Sequence, residues 1–155
     1  MNQKKCIKSV LLIFFMMIFI ANSWAQFFSN SGSTVSILGA TEISGGSGNF
    51  SNTSGIVNNN GILTFGGDYT NAGIFNGNGT YNMGGVFLNT GTYNSDTSTF
   101  NYNGIGAQIV LALNYSTLIL SNSGVKTFDS GTTGIYDSLI ITGATGDAVT
   151  NLTTI

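Results

Sequence analysis

The sequence repeats itself three times in succession, and this repeat determines the fold. Residues 48–66 read GNFSNTSGIVNNNGILTFG, residues 67–84 read GDYTNAGIFNGNGTYNMG, and residues 85–102 read GVFLNTGTYNSDTSTFNY. The copies begin at Gly48, Gly67 and Gly85, so their period is nearly constant. A fixed period of about 20 residues is typical of stacked supersecondary units. Because each unit is too short to hold a helix plus a strand, the repeat predicts short strands joined by tight turns.

Aligning the copies places similar residues in columns. The columns are Phe50, Tyr69 and Phe87; Asn52, Asn71 and Asn89; Gly55, Gly73 and Gly91; and Val57, Phe75 and Tyr93. In a stack of parallel coils, equivalent residues lie about 4.8 Å apart. We therefore expect the aromatic columns to pack inside and the Asn column to form a ladder of side-chain amides. The Asn-x-Gly and Gly-Gly steps predict turns with positive φ.

A looser repeat follows, and no part of the chain after Ala25 shows helical periodicity. Residues 117–125 read TLILSNSGV, and residues 138–149 read SLIITGATGDAV. These strings continue the pattern of short apolar strands separated by turn residues. The predicted fold class is all-β, a parallel β-helix or β-solenoid with coils of about 18–21 residues, following a cleaved helical signal peptide.

The segment 1–25 has the composition of a secretory signal peptide. Lys4, Lys5 and Lys8 precede an unbroken apolar run at positions 10–21, and small residues lead to a predicted cleavage after Ala25. A membrane anchor is the alternative, but a spanning helix needs roughly 20 apolar residues. The predicted domains are the signal peptide at 1–25, N-terminal capping strands at 26–47, Gly/Asn repeat coils at 48–103, and further coils at 104–155.

Charge excludes several classes of function. After cleavage the chain keeps Lys126 as its single base against six acids, so its formal charge is one minus six, or −5. It has no Arg, no His and no remaining Cys. Binding to nucleic acid or to an anionic membrane requires clustered basic residues, so we expect neither partner. Disulfides cannot form, and stability must come from packing and backbone pairing.

The repeats resemble a known type of sequence. Residues 48–81 look like the Gly/Asn-rich parallel β-helix repeats of bacterial surface proteins of the adhesin-like, type IX-secreted sort. Residues 104–128, GIGAQIVLALNYSTLILSNSGVKTF, are similar to a segment of the same proteins in which Gly-Ala-Gln precedes an aromatic residue and an apolar strand; Gly106, Ala107, Gln108 and Tyr115 match.

The resemblance implies a right-handed β-helix outside the cell of a Gram-negative bacterium, and it implies no catalytic residues. Such proteins are usually longer and many end in a sorting domain. This chain ends at NLTTI, so we expect the coils of 104–155 to be truncated.

The residues offer few candidates for chemistry. Nucleophilic triads usually need His, and zinc sites need Cys or His. Asp129 and Asp137, with Lys126 nearby, can approach each other across a turn. They are candidates for a catalytic carboxylate pair or a weak Ca²⁺ site, and the alternative is that they are solvated turn residues.

Two surface hypotheses also remain open at this point. Tyr69, Tyr81 and Tyr93 can line a sugar-binding face or belong to the core. Thr97 and Thr99 match once the repeated Thr-x-Thr of an ice-binding face.

The sequence as a whole predicts a non-catalytic, exported structural or adhesin-like module without a cofactor. Its expected partners are further copies of itself through open solenoid ends, or a polysaccharide, host or biofilm surface. The alternative function is a carbohydrate-binding or polysaccharide-degrading β-helix domain.

Overall fold

The computed structural model describes residues 26–143, which contain sixteen strands and no helix. The predicted signal peptide, its cleavage after Ala25, and residues 144–155 lie outside the described residues. In chain order the strands are β1 (Gln26–Asn30), β2 (Thr34–Ile37), β3 (Glu42–Ser44), β4 (Asn49–Asn52), β5 (Ile56–Asn59), β6 (Ile62–Phe65), β7 (Tyr69–Asn71), β8 (Ile74–Asn76), β9 (Thr80–Met83), β10 (Phe87–Asn89), β11 (Thr92–Tyr93), β12 (Thr99–Tyr102), β13 (Gln108–Val110), β14 (Asn114–Ser121), β15 (Lys126–Phe128) and β16 (Gly134–Thr142).

The strands form a β-solenoid of about six turns, which we call coils 1 to 6. Coils 1 to 4 each contain three strands, β1–β3, β4–β6, β7–β9 and β10–β12, whereas coil 5 contains β13 and β14 and coil 6 contains β15 and β16. Successive coils pair in parallel, giving sheet A (β1-β4-β7-β10), sheet B (β11-β8-β5-β2), sheet C (β16-β14-β12-β9-β6-β3) and sheet D (β13-β15). The predicted all-β, parallel solenoid is therefore confirmed.

Alternation along each strand explains why the stack has one continuous core. In β4 and β9 every second residue is buried, as expected where one face of a strand is inside and the other faces solvent. Most of the inward side chains are apolar or aromatic, so stacking the coils removes them from water. At the first coil, Phe28 lies parallel to Phe50 with their ring centroids 4.7 Å apart.

The aligned columns coincide with the register of the sheets. Phe50 pairs with Tyr69 and Tyr69 with Phe87 in sheet A. The Asn column occupies the end of the same strands, and the column that begins at Val57 lies in sheet B. The looser repeat is also in register, because Leu118 pairs with Leu139 in sheet C.

Glycines at the corners serve a different purpose from the one that the sequence suggests. Gly55, Gly73 and Gly91 are not among the described residues with positive φ. Instead, a Cβ on Gly73 would clash with the carbonyl oxygen of Gly55, and a Cβ on Gly91 with that of Gly73. The positive-φ interpretation is wrong for this column, because the coils approach each other too closely there for any side chain.

The segment 26–47, for which we expected capping strands, contains a complete coil. Its strands β1, β2 and β3 pair with β4, β5 and β6 of coil 2. The spacing along the Asn column is 22 residues from coil 1 to coil 2, then 19 and 18 residues. The extra residues of coil 1 lie in its corners, outside the strands.

Coil 5 differs from coils 1 to 4 because it has no strand in sheet A or sheet B, and its first strand belongs to sheet D. Its strand β14 has eight residues, against four in β12, and it begins before the paired segment Thr117–Leu120. Strand β13 pairs with β15 alone, and the Gln108 side chain bridges back to the turn between β9 of coil 3 and β10 of coil 4, donating to the carbonyl oxygens of Met83 and Gly85 at 3.0 and 2.7 Å.

Candidate functional site

The structure gives Asp129 and Asp137 separate local partners. Asp129 is exposed after β15, and its carboxylate accepts a hydrogen bond from the Ser130 amide at 2.8 Å. Asp137 is exposed in β16, and its carboxylate accepts one from the Thr117 hydroxyl at 3.0 Å. Within residues 26–143 no cluster of three or more Asp, Glu, His or Cys side chains is placed to hold a metal ion. The described residues thus bring no third acidic, His or Cys side chain to the proposed Ca²⁺ site.

Lys126, which the sequence hypothesis placed near the two aspartates, lies in the interior. Its side chain is 0% exposed, and its ammonium donates to the carbonyl oxygen of Gly104 at 2.6 Å. Strand alternation explains the position, since Lys126 is the inward residue at the start of β15 and pairs with the buried Gln108 of β13. Single-sequence reasoning misses this burial because a lone Lys in a polar segment is ordinarily a surface residue.

The tyrosines proposed for a sugar-binding face belong to the core. Tyr69 and Tyr81 are both 0% exposed, and Tyr93 is half-buried against Phe100. Their hydroxyls accordingly bond inside the coil and do not reach the rim. The partners are the carbonyl oxygen of Asn82 for Tyr69 (2.9 Å), that of Asn76 for Tyr81 (2.8 Å) and the Ser98 hydroxyl for Tyr93 (2.8 Å).

Burial also changes the acidity of these phenols. It raises the pKa of Tyr69 and Tyr81 well above the ordinary value, and it raises the pKa of Tyr93 to about 12. Two further tyrosines meet where coil 4 joins coil 5, where the hydroxyls of Tyr102 and Tyr115 are 2.9 Å apart. Burial is again the main cause of the raised pKa of both phenols. All five are therefore neutral hydrogen-bonding groups near pH 7.

The Asn column forms the predicted ladder inside the coils. The side-chain amide of Asn30 donates to the side-chain oxygen of Asn52 at 3.1 Å, Asn52 donates to Asn71 at 2.8 Å, and Asn71 donates to Asn89 at 2.7 Å. Asn52 also donates to the Gly55 carbonyl at 3.1 Å and accepts from the Gly55 amide, and Asn30 does the same with Ser33, so these rungs also close the corner of their own coil. Every amide bond of this inner ladder donates toward the C-terminal end of the stack.

Ladders of polar side chains also run along the outside of the coils. In sheet B, Asn94 donates to Asn76 at 2.7 Å and Asn76 donates to Asn58 at 3.0 Å. In sheet C, Asn101 donates to Asn82 at 3.0 Å, and Asn82 donates to the Thr64 hydroxyl at 3.1 Å. These outer ladders donate toward the N-terminal end, opposite to the inner one, and they engage the outward amides with one another.

The threonines considered for ice binding do not form a repeated pair. Thr97 lies in the turn before β12, where its hydroxyl donates to the Asn78 side chain at 3.0 Å, and Thr99 lies in β12 between Thr80 and Thr117. In the neighbouring outward row of sheet C, the positions that pair with Asn101 hold Asn82 and Ile119. The described strands therefore carry a single row of Thr on this face.

The surface feature that the sequence did not single out is the outer edge of β16. This strand ends sheet C, and Tyr136, Ile140 and Ile141 are 71%, 40% and 47% exposed. The residue that pairs with Ile141, Leu120, is 0% exposed one coil earlier. A signal was present, because SLIIT repeats the buried TLILS at the end of the described coils.

Comparisons with models of protein families, with curated proteins and with solved structures found no match for this chain. The adhesin-like assignment therefore depends on the residues quoted for the resemblance. Residues 26–143 contain no helix of the length and apolar character that a membrane span requires.

Proposed function

We propose that this chain is a non-catalytic, exported structural module of the adhesin-like kind. It is a stiff β-solenoid that projects from, or coats, the surface of a Gram-negative bacterium, or is released into the medium. The observation that carries the proposal is that polar side chains on both sides of the coils bond to the next coil. The amides that a binding or catalytic site would direct at a ligand instead hold the coils together.

Two ladders illustrate this use of polar side chains. The amide of Asn71 is buried and engaged by Asn52 and Asn89, while the amide of Asn76, on the outside, is engaged by Asn58 and Asn94. Hydrogen bonds joined in chains polarise and strengthen one another. Such a stack resists bending and separation of its coils, which suits a projecting or coating element.

Export is supported by the composition of the two parts of the chain. Three of the four basic residues lie in the segment 1–25 beside the apolar run, and the remainder carries Lys126 alone. A stack of coils without disulfides gains stability coil by coil from contacts between neighbours. The chain can therefore be transported in an extended form and fold afterwards.

Cell fractionation tests location. An antibody against residues 48–102 is used on blots of cytoplasm, envelope and medium from the cells that make the protein. We expect a band at the surface or in the medium, shorter than the 155-residue chain by the signal peptide. Full-length protein confined to the cytoplasm would contradict the proposal, and a much heavier surface band would place these coils in a longer fibre.

The competing function, a carbohydrate-active domain, is tested by polysaccharide binding and turnover. The purified protein is mixed with a panel of soluble polysaccharides, and bound sugar and released reducing ends are measured. We expect no reducing ends, because Asp129 and Asp137 have separate local partners. Release that is abolished by Asp129→Asn or Asp137→Asn would overturn the non-catalytic proposal, while binding without release would fit an adhesin-like module.

A further inference from the structure

The last described strand presents an edge that resembles an interface. Strand β16 has nine residues, the longest strand in the described part of the chain, and it pairs with β14 on one side only. An edge strand of this length offers a row of backbone donors and acceptors to another strand. Proteins usually protect such edges with charge, proline or short length, and residues 138–142, SLIIT, have none of these.

Apolar side chains along this edge face the core but are only partly buried. Ile141 faces inward and pairs with Leu120, yet it is 47% exposed where Leu120 is 0% exposed. Leu139, which also faces inward, is only half-buried. Ile140 faces outward beside them and is 40% exposed. A partner at this edge would therefore bury apolar side chains as well as pair the backbone.

We propose that the edge of β16 binds β16 of a second copy of this chain, in antiparallel register about a two-fold axis at Ile140. The segment SLIIT is self-complementary in this register. Ser138 lies opposite Thr142 of the second copy, Leu139 opposite Ile141, and Ile140 opposite Ile140. Inward residues then meet inward residues, the two cores join end to end, and sheet C runs through both copies.

Head-to-tail stacking fits the two ends less well. At the other end of sheet C, β3 has three residues and includes the exposed Glu42, so that edge is short and charged. Continuing the parallel register would place Ile140 against Ser44 of the next copy, since both belong to the same outward row. A two-fold pairing uses the same apolar patch twice and closes after two copies.

The nearest charge does not oppose this pairing. Asp137 lies just outside the segment 138–142, at an irregularity in the pairing of β14 with β16. Its carboxylate accepts the hydrogen bond from Thr117 of the preceding strand, which lies on the side away from the free edge. The two carboxylates of a dimer are therefore not brought opposite each other.

Sedimentation velocity over a concentration series tests the proposal on protein expressed from the whole chain. We expect a monomer–dimer equilibrium that saturates at two copies. Ile140→Lys places two like charges opposite each other at the two-fold, so it should weaken the dimer by about 10-fold or more. The matched control is Ile62→Lys, because Ile62 is also 40% exposed and also lies in sheet C, four strands away. It should leave the dimer unchanged.

A mixture of two variants tests whether the two-fold axis lies at Ile140. Ile140→Glu alone should also weaken the dimer, whereas an equimolar mixture with Ile140→Lys should restore it, because opposite charges then face each other. Circular dichroism spectra equal to the parent's show that both variants fold.

Three results would each overturn the proposal. The first is a monomer at all concentrations, as expected if residues 144–155 of the same chain cover the edge. The second is growth beyond two copies, as expected for head-to-tail stacking. The third is an Ile140→Lys dimer as strong as the parent's. None of these results bears on export or on polysaccharide turnover, so this proposal and the proposed function fail separately.

Discussion

Coils 1 to 4 and coils 5 to 6 solve the same packing problem in two ways. The first four coils are three-sided, and the inner Asn ladder closes the corner between sheets A and B in each. Coils 5 and 6 have no strand in sheet A or sheet B, and their inward polar residues, Gln108 and Lys126, bond to backbone at the turn that follows sheet C. The comparison indicates that the ladder is a device for a corner. Where the corner is absent, so is the asparagine.

The inward polar side chains of coils 5 and 6 bond to backbone groups. Gln108 accepts from the Gly104 amide at 2.8 Å and donates to the Met83 and Gly85 carbonyls. Lys126 donates to the Gly104 carbonyl.

Alkaline pH gives the largest expected effect and tests whether the two regions unfold together. Burial holds the pKa of five phenols above the unfolded value of about 10. They are Tyr69, Tyr81 and Tyr93 in coils 3 and 4, and Tyr102 and Tyr115 at the boundary.

Because the folded pKa is raised, the stabilisation is complete below about pH 10 and is lost as the pH rises above it, by about 1.4 kcal/mol per pH unit for each phenol. We expect one cooperative loss of β-sheet circular dichroism between about pH 10 and 12, together with phenolate absorbance. Two separate transitions would show that the regions are independent.

A pair of glycine substitutions contrasts close and open corners. Gly73→Ala places a Cβ against the Gly55 carbonyl in the three-sided region, so the backbone must shift, and we expect a loss of about 3 kcal/mol in the free energy of unfolding. Gly106→Ala is the matched control in the loop before β13, where a Cβ meets nothing within 4 Å. Its effect should lie within about 0.5 kcal/mol. If urea unfolding shows equal losses for Gly73→Ala and Gly106→Ala, close approach of the coils is not the reason for glycine at position 73.

The two inner polar rows can be compared by replacing one member of each. Asn71→Leu leaves the amide of Asn52 and the side-chain oxygen of Asn89 short of a partner, which should reduce the free energy of unfolding by about 3 kcal/mol. Lys126→Met removes a hydrogen bond and a buried charge together, and because these effects oppose each other we expect a loss of about 1 kcal/mol. If chemical denaturation shows a larger loss in the free energy of unfolding for Lys126→Met than for Asn71→Leu, the row of Gln108 and Lys126 contributes more to stability than the Asn ladder.

The smallest effect is expected on the outside of the three-sided coils. Asn76→Ala breaks the outer ladder of sheet B, but water can replace the lost bonds at this half-buried position. We expect a loss of about 0.5–1 kcal/mol in the free energy of unfolding. A loss as large as that of Asn71→Leu in the same assay would mean that the outer ladders hold the coils as firmly as the inner one.

The three-sided region was largely predictable from sequence because its period is nearly constant. Phe50, Tyr69 and Phe87 align without gaps, and a parallel solenoid is the fold that brings equivalent positions of short strands together. The Asn ladder followed from the same alignment. The reason for the Gly73 column did not, because sequence shows where glycine occurs but not whether φ or close approach requires it.

The fold of coils 5 and 6 and the geometry of the candidate site could not be predicted in the same way. Nothing in the string QIVLALNYSTLILS marks the loss of the sheet B strand, which depends on how coil 5 sits on coil 4. Asp129 and Asp137 are close in sequence, which does not reveal that each has its own local partner. The strand alternation that turns Lys126 inward could not be recognised from a single copy of the segment. The importance of β16 depends on its position at the edge of sheet C, which only the topology reveals.

The opposed directions of the amide ladders have an electrostatic consequence. In an α-helix all peptide dipoles point the same way, so the two ends carry opposite partial charges. Here the dipoles of the inner ladder point one way along the axis, and those of the ladders through Asn76 and Asn82 point the other way. Their contributions offset each other, so these side-chain ladders can extend with the stack without building up a large dipole along its axis.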